Sequence, residues 1–366
     1  LKCSLCPHQN NHCMLTNLPI LLSYLLVGFL LTFVLIPPFL RLIIRLKLGK
    51  QIRDNALIGK AEMFKLLHEH KAGTPTMGAL TILASMVILI ALSIIAWYFR
   101  DSIHNLTGIR INNSLWSREE TYLSIFTLVS MGCVGFIDDL LNTLGKWATK
   151  GMSARVKMIS LIIFGSVGAL WFSLNLGHDS IGLPGGYELF LGIWYIPLFI
   201  FLIITYANAV NITDGLDGLA GGLLLFNYSV YAIITYHQGL NILSSLCLII
   251  VGGLIAFLWF NIKPAKFYMG DVWSLALWAN LAVMAMLTDT LIVLLIISAI
   301  YIWELTTSFM QLLSKRLLGR KIWKIAPYHH HLEAMGWSEE TIVMRFWLIG
   351  MVLSVFGLIV YYTLRI

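Results

Sequence analysis

Ile242-Leu243-Ser244-Ser245-Leu246-Cys247-Leu248-Ile249-Ile250-Val251-Gly252-Gly253-Leu254-Ile255-Ala256-Phe257-Leu258-Trp259-Phe260-Asn261 carries no charge over its whole length. About 20 such residues in a helix cross the ~30 Å hydrocarbon core of a bilayer. Nine further runs read the same way, at 19–46, 78–99, 121–141, 157–175, 190–210, 218–236, 271–288, 290–311 and 342–364. The chain has 366 residues, 58% of them hydrophobic and 12% charged, with a mean hydropathy of +0.82. Soluble domains carry about 25% charged residues, so soluble, disordered, collagen-like and disulfide-rich classes are excluded. The expected fold is an all-α polytopic membrane protein of about ten transmembrane helices. Residues 19–366 are expected to form a single ten-helix transmembrane domain, and residues 1–18 a disordered extracytoplasmic extension. In that extension Cys3, Cys6, Cys13, His8 and His12 fit no standard zinc spacing.

Charge distribution sets the orientation. Of 25 Lys and Arg residues, all but Lys2, Arg100, Arg110, Arg118 and Arg365 fall on one side of the alternating loops. Basic loops stay cytoplasmic, which places both termini outside. The net charge of +7 is thereby accounted for as topology, and a nucleic-acid partner is excluded for want of a basic face on a soluble fold.

Unusual polar residues collect on that same cytoplasmic side. Lys71 and Thr74 precede the second span, and Asp138-Asp139 end the third. Asn208, Asn211, Asp214 and Asp217 lie in the loop between the fifth and sixth spans. Asn261 and Asp271 bracket the next cytoplasmic loop, and His329-His330-His331 lie in the last. Asp214 and Asp271, taken alone, read as helix N-caps ahead of ligands. The adjacent pair Asp138-Asp139 is harder to explain as structure, because two carboxylates repel and the C-terminal end of a helix disfavours anions. A nearby cation resolves both objections. Oxygen donors with Lys and His close by suit Mg²⁺ and phosphate better than zinc. Gly215, Gly218, Gly221 and Gly222 admit close backbone approach to a ligand, but form neither a Walker loop nor a dinucleotide fingerprint. The residues by themselves indicate a membrane enzyme acting on a phosphate-containing substrate from the cytoplasm.

Several stretches resemble the phospho-N-acetylmuramoyl-pentapeptide transferase family. They are Lys71-Ala72-Gly73-Thr74-Pro75-Thr76-Met77-Gly78, Phe136-Ile137-Asp138-Asp139, and Asn208 to Ala220 with its Asn-Ile-Thr-Asp-Gly-Leu-Asp-Gly centre. Phe257 to Asn261, Met269-Gly270-Asp271 and Ala326-Pro327-Tyr328-His329-His330-His331-Leu332-Glu333 complete the set. The Asp motifs mark the wider polyprenyl-phosphate sugar-1-phosphate transferases. The triple-His segment with Gly336-Trp337 and Arg345-Phe346-Trp347 is similar to the muramoyl-pentapeptide branch. The resemblance implies that UDP-N-acetylmuramoyl-pentapeptide and undecaprenyl phosphate give lipid I and UMP with Mg²⁺, at the cytoplasmic face of a bacterial plasma (inner) membrane, in a possible homodimer surrounded by membrane lipid.

By motif, the resemblance implies Asp271 as principal metal ligand, with Asp138 and Asp139 serving the metal or the lipid phosphate. Asp214, Lys71 and Asn261 would surround the diphosphate, and Asp217, Gly215, Leu216 and Tyr268 the uridine. Thr74, Asn208 and Asn211 join the substrate-binding set. Asp138, Asp139, Asp214 and His330 make up the implied catalytic set, His329 and His331 contact substrate, and Glu304 supports them. Trp273 and Trp278 stand where the family usually has glycines, which implies a displaced neighbouring helix, impaired metal binding or unauthentic positions. It also predicts that glycine at both raises activity or stability. Ala79, Tyr268 and Leu332 are milder departures. The rival readings are a sister N-acetylglucosamine-1-phosphate transferase, a transporter, and an impaired relative.

Overall fold

The computed structural model describes residues 10–46, 73–78, 80–108, 111, 113–144, 152–175, 177, 179–183 and 187–364, without the side chains of 10–17, 210, 211, 273, 274 and 364. It is helical almost throughout. The elements are α1 (Asn10–Arg45), α2 (Leu80–Tyr98), α3 (Arg100–Thr107), α4 (Glu119–Leu144), α5 (Ala154–Asn175), α6 (Tyr195–Thr213) and α7 (Leu219–His237). They continue with α8 (Asn241–Asn261), α9 (Asp271–Leu287), α10 (Leu291–Ile297), α11 (Ala299–Leu317), α12 (Tyr328–Ala334) and α13 (Glu339–Leu364). Among the described residues, eight helices are long and apolar enough to cross a membrane, and α10 with α11, bent by 71° at the break between them, pass the same test only as a pair, as a broken span or a re-entrant loop. The tenth run is α9, an apolar helix of 17 residues. The chain is a multi-pass membrane protein.

Three boundaries differ from the reading of the sequence. Helix α1 begins at Asn10, ahead of the expected start at 19, while residues 1–9 lie outside the described residues. The expected run 290–311 is broken at Ser298, whose hydroxyl donates to Leu294 O at 2.5 Å and meets Tyr206 Oη at 2.9 Å. Neither Pro nor Gly marks that break, so hydropathy passed over it. A hairpin, β1 (Ser180–Leu183) with β2 (Tyr187–Phe190), also interrupts the all-helical pattern, pairing antiparallel with Ser180 opposite Phe190.

Helix α9 is the axis on which the site is built. It packs between α4 and α6, and its Leu275 to Ala285 side chains are almost wholly enclosed. Its one mid-helix amide is satisfied: Asn280 donates to Ser124 O and Oγ and accepts from Tyr228 Oη. At the site end, a Cβ on Gly135 of α4 would stand 2.2 Å from Asp271 O. Only glycine lets α4 close on α9 there. Trp278 is fully buried, stacked on Tyr206 at 5.8 Å and edge-on to Tyr301 at 4.0 Å. Aromatic neighbours enclose this indole where α6 packs on α9, and its Nε1 lacks a hydrogen-bond partner. The side chain of Trp273 lies outside the described residues.

Candidate active site

The acid pair sits in the last two turns of α4. Asp138 and Asp139 are 6% and 5% exposed, so water does not solvate them and the protein must. Met152 N donates to Asp138 Oδ1, and Lys157 Nζ lies 3.2 Å from Asp138 Oδ2. The same ammonium stands 2.7 Å from Asp271 Oδ2, and the Asp138 and Asp271 carboxyls lie within hydrogen-bonding reach of each other. Asp139 Oδ2 accepts from Val272 N at 3.3 Å. Gly270 completes the cradle at φ 81°. A Cβ there would stand 2.4 Å from Asp139 Oδ2 and 2.9 Å from Met77 N. Both the left-handed φ and the lack of space demand glycine. Two carboxylates from two helices therefore face one cation position, filled by the Lys157 ammonium of a third, with the Asp139 carboxylate held beside them by Val272 N.

These geometries remove the capping reading. Asp271 is the first residue of α9 and makes no side-chain cap; the N-cap is Gly270. Helix α7 is capped at Gly218, again with no side-chain bond, so neither Asp214 nor Asp217 caps it. Among the described residues no three His, Cys, Asp or Glu groups form a ready-made metal cage. The oxygen-only donors around Lys157 suit a hard cation that brings its own water and phosphate ligands, as Mg²⁺ does.

A second cluster is built on the turn 214–218. Asp217 N donates to Glu339 Oε1 at 2.8 Å, and Asp217 Oδ2 accepts from Ala265 N at 3.0 Å. Asn261 is spent on backbone at both ends of its amide, accepting from Gly218 N at 3.0 Å and donating to Phe267 O at 2.9 Å. It positions the turn. Tyr268 joins this cluster to the residues before α2: its N donates to Pro75 O, its O accepts from Gly78 N, and its phenol bonds Thr74. Burial, then the Asp217 carboxylate, push that phenol well above its ordinary value. Lys263 bridges Glu339 at 3.3 Å and Glu340 at 2.9 Å. Burial works to lower this ammonium, but the hydrogen bond to Glu340 and the Glu339 carboxylate outweigh it and raise it.

The histidines form a third wall. Glu304, fully buried on α11, accepts from His329 N at 3.2 Å and lies 3.1 Å from His329 Nδ1. His330 Nδ1 pairs with Glu333 Oε2 at 2.6 Å. The two imidazoles turn their Nε2 atoms to Gly215, where a Cβ would lie 2.4 Å from His329 Nε2 and 2.9 Å from His330 Nε2. His329 Nε2 has no hydrogen-bond partner, nor has His331 Nδ1.

The expected residues thus assemble at one end of the bundle, with some differences. Asn208 and Asn211 belong to α6 itself, and Asn208 donates to Ile204 O, where the sequence suggested a loop. Lys71 and the side chain of Asn211 lie outside the described residues. Asp214 is close enough to act electrostatically on Tyr268. Lys157 and Glu339 were not anticipated. Lys157 had been absorbed into the topological charge, although a cation in the first turn of α5 opposes the helix dipole. A cation at that helix start is as misplaced as the Asp138-Asp139 anions are at the end of α4. Glu339, in the first turn of α13, agrees with its dipole and gave no signal.

The sequence is similar to known proteins along most of its length. The model of glycosyl transferase family 4 matches residues 121–289, which spans α4 through the turn after α9. The chain is 33% identical to the phospho-N-acetylmuramoyl-pentapeptide-transferase of Anoxybacillus flavithermus, over 91% of this chain and 95% of that protein. It is 34% identical to that of Staphylococcus saprophyticus, over 91% and 97%, and 32% identical to that of a Geobacillus strain, over 91% and 95%. Likeness at that level along nearly the whole length places the chain in the phospho-N-acetylmuramoyl-pentapeptide-transferase family.

Proposed function

We infer that the chain transfers phospho-N-acetylmuramoyl-pentapeptide from its UDP derivative to undecaprenyl phosphate, releasing UMP and leaving lipid I in the membrane. The observation that carries the site assignment is the convergence of Asp138 and Asp271 on one cation position, 3.2 and 2.7 Å from Lys157 Nζ, beside buried Asp139. An oxygen of the lipid phosphate forms a bond to the sugar-linked phosphorus, and the bond from that phosphorus to the UMP oxygen breaks, its electron pair leaving with UMP. Both reactants are anions, so the protein's task is alignment and charge neutralisation.

Mg²⁺ held by Asp271 with Asp138 or Asp139 would supply that neutralisation at the diphosphate. Lys157 brings a second positive charge to the same oxygens, and it offsets the Asp138 and Asp271 carboxylates. Asp217, Gly215 and Leu216 with Tyr268 frame the uridine, with Thr74, Asn208 and Asn211 at its margin. Glu339 and Asn261 hold that turn in place. Asp214 serves the diphosphate, and the family motif assigns Lys71, which lies outside the described residues, to the same group. His330 contacts substrate across Gly215, with His329 fixed by Glu304 and with His331 beside it. The site faces the cytoplasm of a bacterial plasma membrane, in keeping with the basic loops at this end of the bundle, and the chain pairs as a homodimer.

The test is UMP release by purified protein given undecaprenyl phosphate and either UDP-N-acetylmuramoyl-pentapeptide or UDP-N-acetylglucosamine, with and without Mg²⁺. Release from the pentapeptide substrate alone, dependent on Mg²⁺, is expected. Faster turnover of UDP-N-acetylglucosamine would assign the chain to the sister reaction.

A further inference from the structure

At the end of the bundle opposite the acid cluster, a cavity of about 60 Å³ lies between the first turns of α4 and α8. On α4 the helix runs from Glu120 at this cavity to Asp138, and on α8 from Asn241 to Asn261. At 1.5 Å per residue those stretches are about 27 and about 30 Å long, the thickness of the hydrocarbon core of a bilayer. With the acid cluster at one boundary of the membrane, the cavity lies at the other, at the level of the lipid headgroups. Trp116, two residues before Arg118 of its rim, is 43% exposed and packs on Tyr122 at 4.8 Å, as aromatic residues do at a membrane interface.

The lining has the chemistry of an anion site with one added carboxylate. Helix α8 has Leu240 as its N-cap, which makes no side-chain bond, and no acidic residue in its first turn. The amides of Asn241, Ile242 and Leu243 therefore have no acceptor within the helix, and all three residues line the cavity. On the side of α4 stand Arg118, exposed at the rim, and Thr121. Thr121 is 0% exposed, and its hydroxyl has no hydrogen-bond partner among the described residues. A buried hydroxyl left in that state costs stability, and a bound acceptor removes the cost. Helix amides, a guanidinium and a hydroxyl converging on one small volume suit a phosphate. The size agrees: a water needs about 10–15 Å³ of such space, so a phosphate group fits and a sugar or nucleotide does not. Glu120 also lines the cavity. Its carboxylate disfavours a second negative charge and attracts an amine carried next to the phosphate. A Cβ on Gly239, at the edge, would meet nothing within 4 Å, which leaves room for the rest of a headgroup.

We propose that the cavity between the first turns of α4 and α8 binds the headgroup of an aminophospholipid from the leaflet opposite the acid cluster. Its phosphate sits on the α8 amides, Arg118 and Thr121, and its ammonium on Glu120. The phosphate supplies the anion that the uncapped start of α8 lacks and ties that helix to α4. The site is separate from the transferase chemistry and stands whatever the chain catalyses.

Thermal melts of the purified, delipidated chain in dodecyl maltoside test this with three probes: dioctanoyl phosphatidylethanolamine, dioctanoyl phosphatidylglycerol and inorganic phosphate. Phosphatidylethanolamine is expected to raise the melting temperature saturably, with half-saturation about fivefold below that of phosphatidylglycerol for the ammonium–Glu120 pair. Arg118→Gln should raise the half-saturating concentration about tenfold, the worth of one charge-assisted hydrogen bond. Thr121→Val, which keeps the shape and deletes the hydroxyl, should raise it about threefold. Equal action of the two lipids would mean bulk lipid only and would overturn the proposal, as would an unchanged half-saturation in either variant. Inorganic phosphate acting at the same concentrations as phosphatidylethanolamine would make this a site for a free anion and would overturn the headgroup assignment. If Arg118→Gln fails to fold, Thr121→Val decides alone.

Discussion

Lys157 holds its ammonium between two carboxylates in the first turn of a helix whose dipole opposes it. Such a placement persists only because Asp138 and Asp271 need a cation more than the helix end resists one. Removing one partner of a buried ionic cluster costs about 3–5 kcal/mol. Lys157→Met is accordingly expected to lower the melting temperature in chelator and to regain part of the loss when Mg²⁺ is added. Melting curves with and without Mg²⁺ check this, and a loss that Mg²⁺ leaves untouched would show that ammonium and metal do not share the site. Turnover of the variant should fall about 10²-fold or more, as when one charge-stabilising donor is removed. The buried Glu304–His329 pair makes a second case. Glu304→Gln keeps the shape and removes the charge-assisted bonds, at a cost of about 1.5–3 kcal/mol, measurable as a lowered melting temperature. At Tyr268, burial and the Asp217 carboxylate hold the phenol protonated. Tyr268→Phe should therefore leave the pH profile of UMP release unchanged from about pH 6 to about pH 9. A vanished alkaline limb in the variant would mean that the phenol ionises during turnover.

At the scale of elements, α9 decides most. Its 17 residues are short for a span and enclosed on nearly every side, so what would be lipid-facing surface elsewhere is core here. Trp278, where the resemblance implies a glycine, lies in an aromatic box with Tyr206 and Tyr301. Its removal would leave a cavity lined by those rings. Trp278→Gly is thus expected to destabilise by about 3–5 kcal/mol for the lost aromatic and about 1 kcal/mol for glycine in a helix, the reverse of what the sequence suggested. Trp278→Phe keeps most of the packing and deletes the unpaired Nε1, so it should sit close to wild type. Thermal melts of the purified variants in one detergent rank the three. The bend at Ser298 belongs to this scale as well. It turns α11 by 71° from α10 and so carries Glu304 under His329.

Across the whole molecule, the spans and the clustering of polar residues at one end were legible in the sequence, because bilayer thickness and loop charge are one-dimensional constraints. Asp138-Asp139 announced itself by being misplaced. Less legible were features set by three-dimensional packing: the break at Ser298, the hairpin 180–190, and the use of Asn261 to hold Gly218 and Phe267 together. Glu339 escaped notice because it satisfies every local rule, and Lys157 because a topological role already explained its charge. The central claim is that Asp271, brought beside Asp138 and Asp139 by the close approach of α4 and α9, holds the cation on which phosphoryl transfer depends. Mg²⁺-dependent UMP release from UDP-N-acetylmuramoyl-pentapeptide and undecaprenyl phosphate, compared between wild type and Asp271→Asn at matched melting temperature, tests it most directly. Loss of at least about 10²-fold in turnover with an intact fold is the predicted result; Mg²⁺-dependent turnover equal to wild type would contradict it.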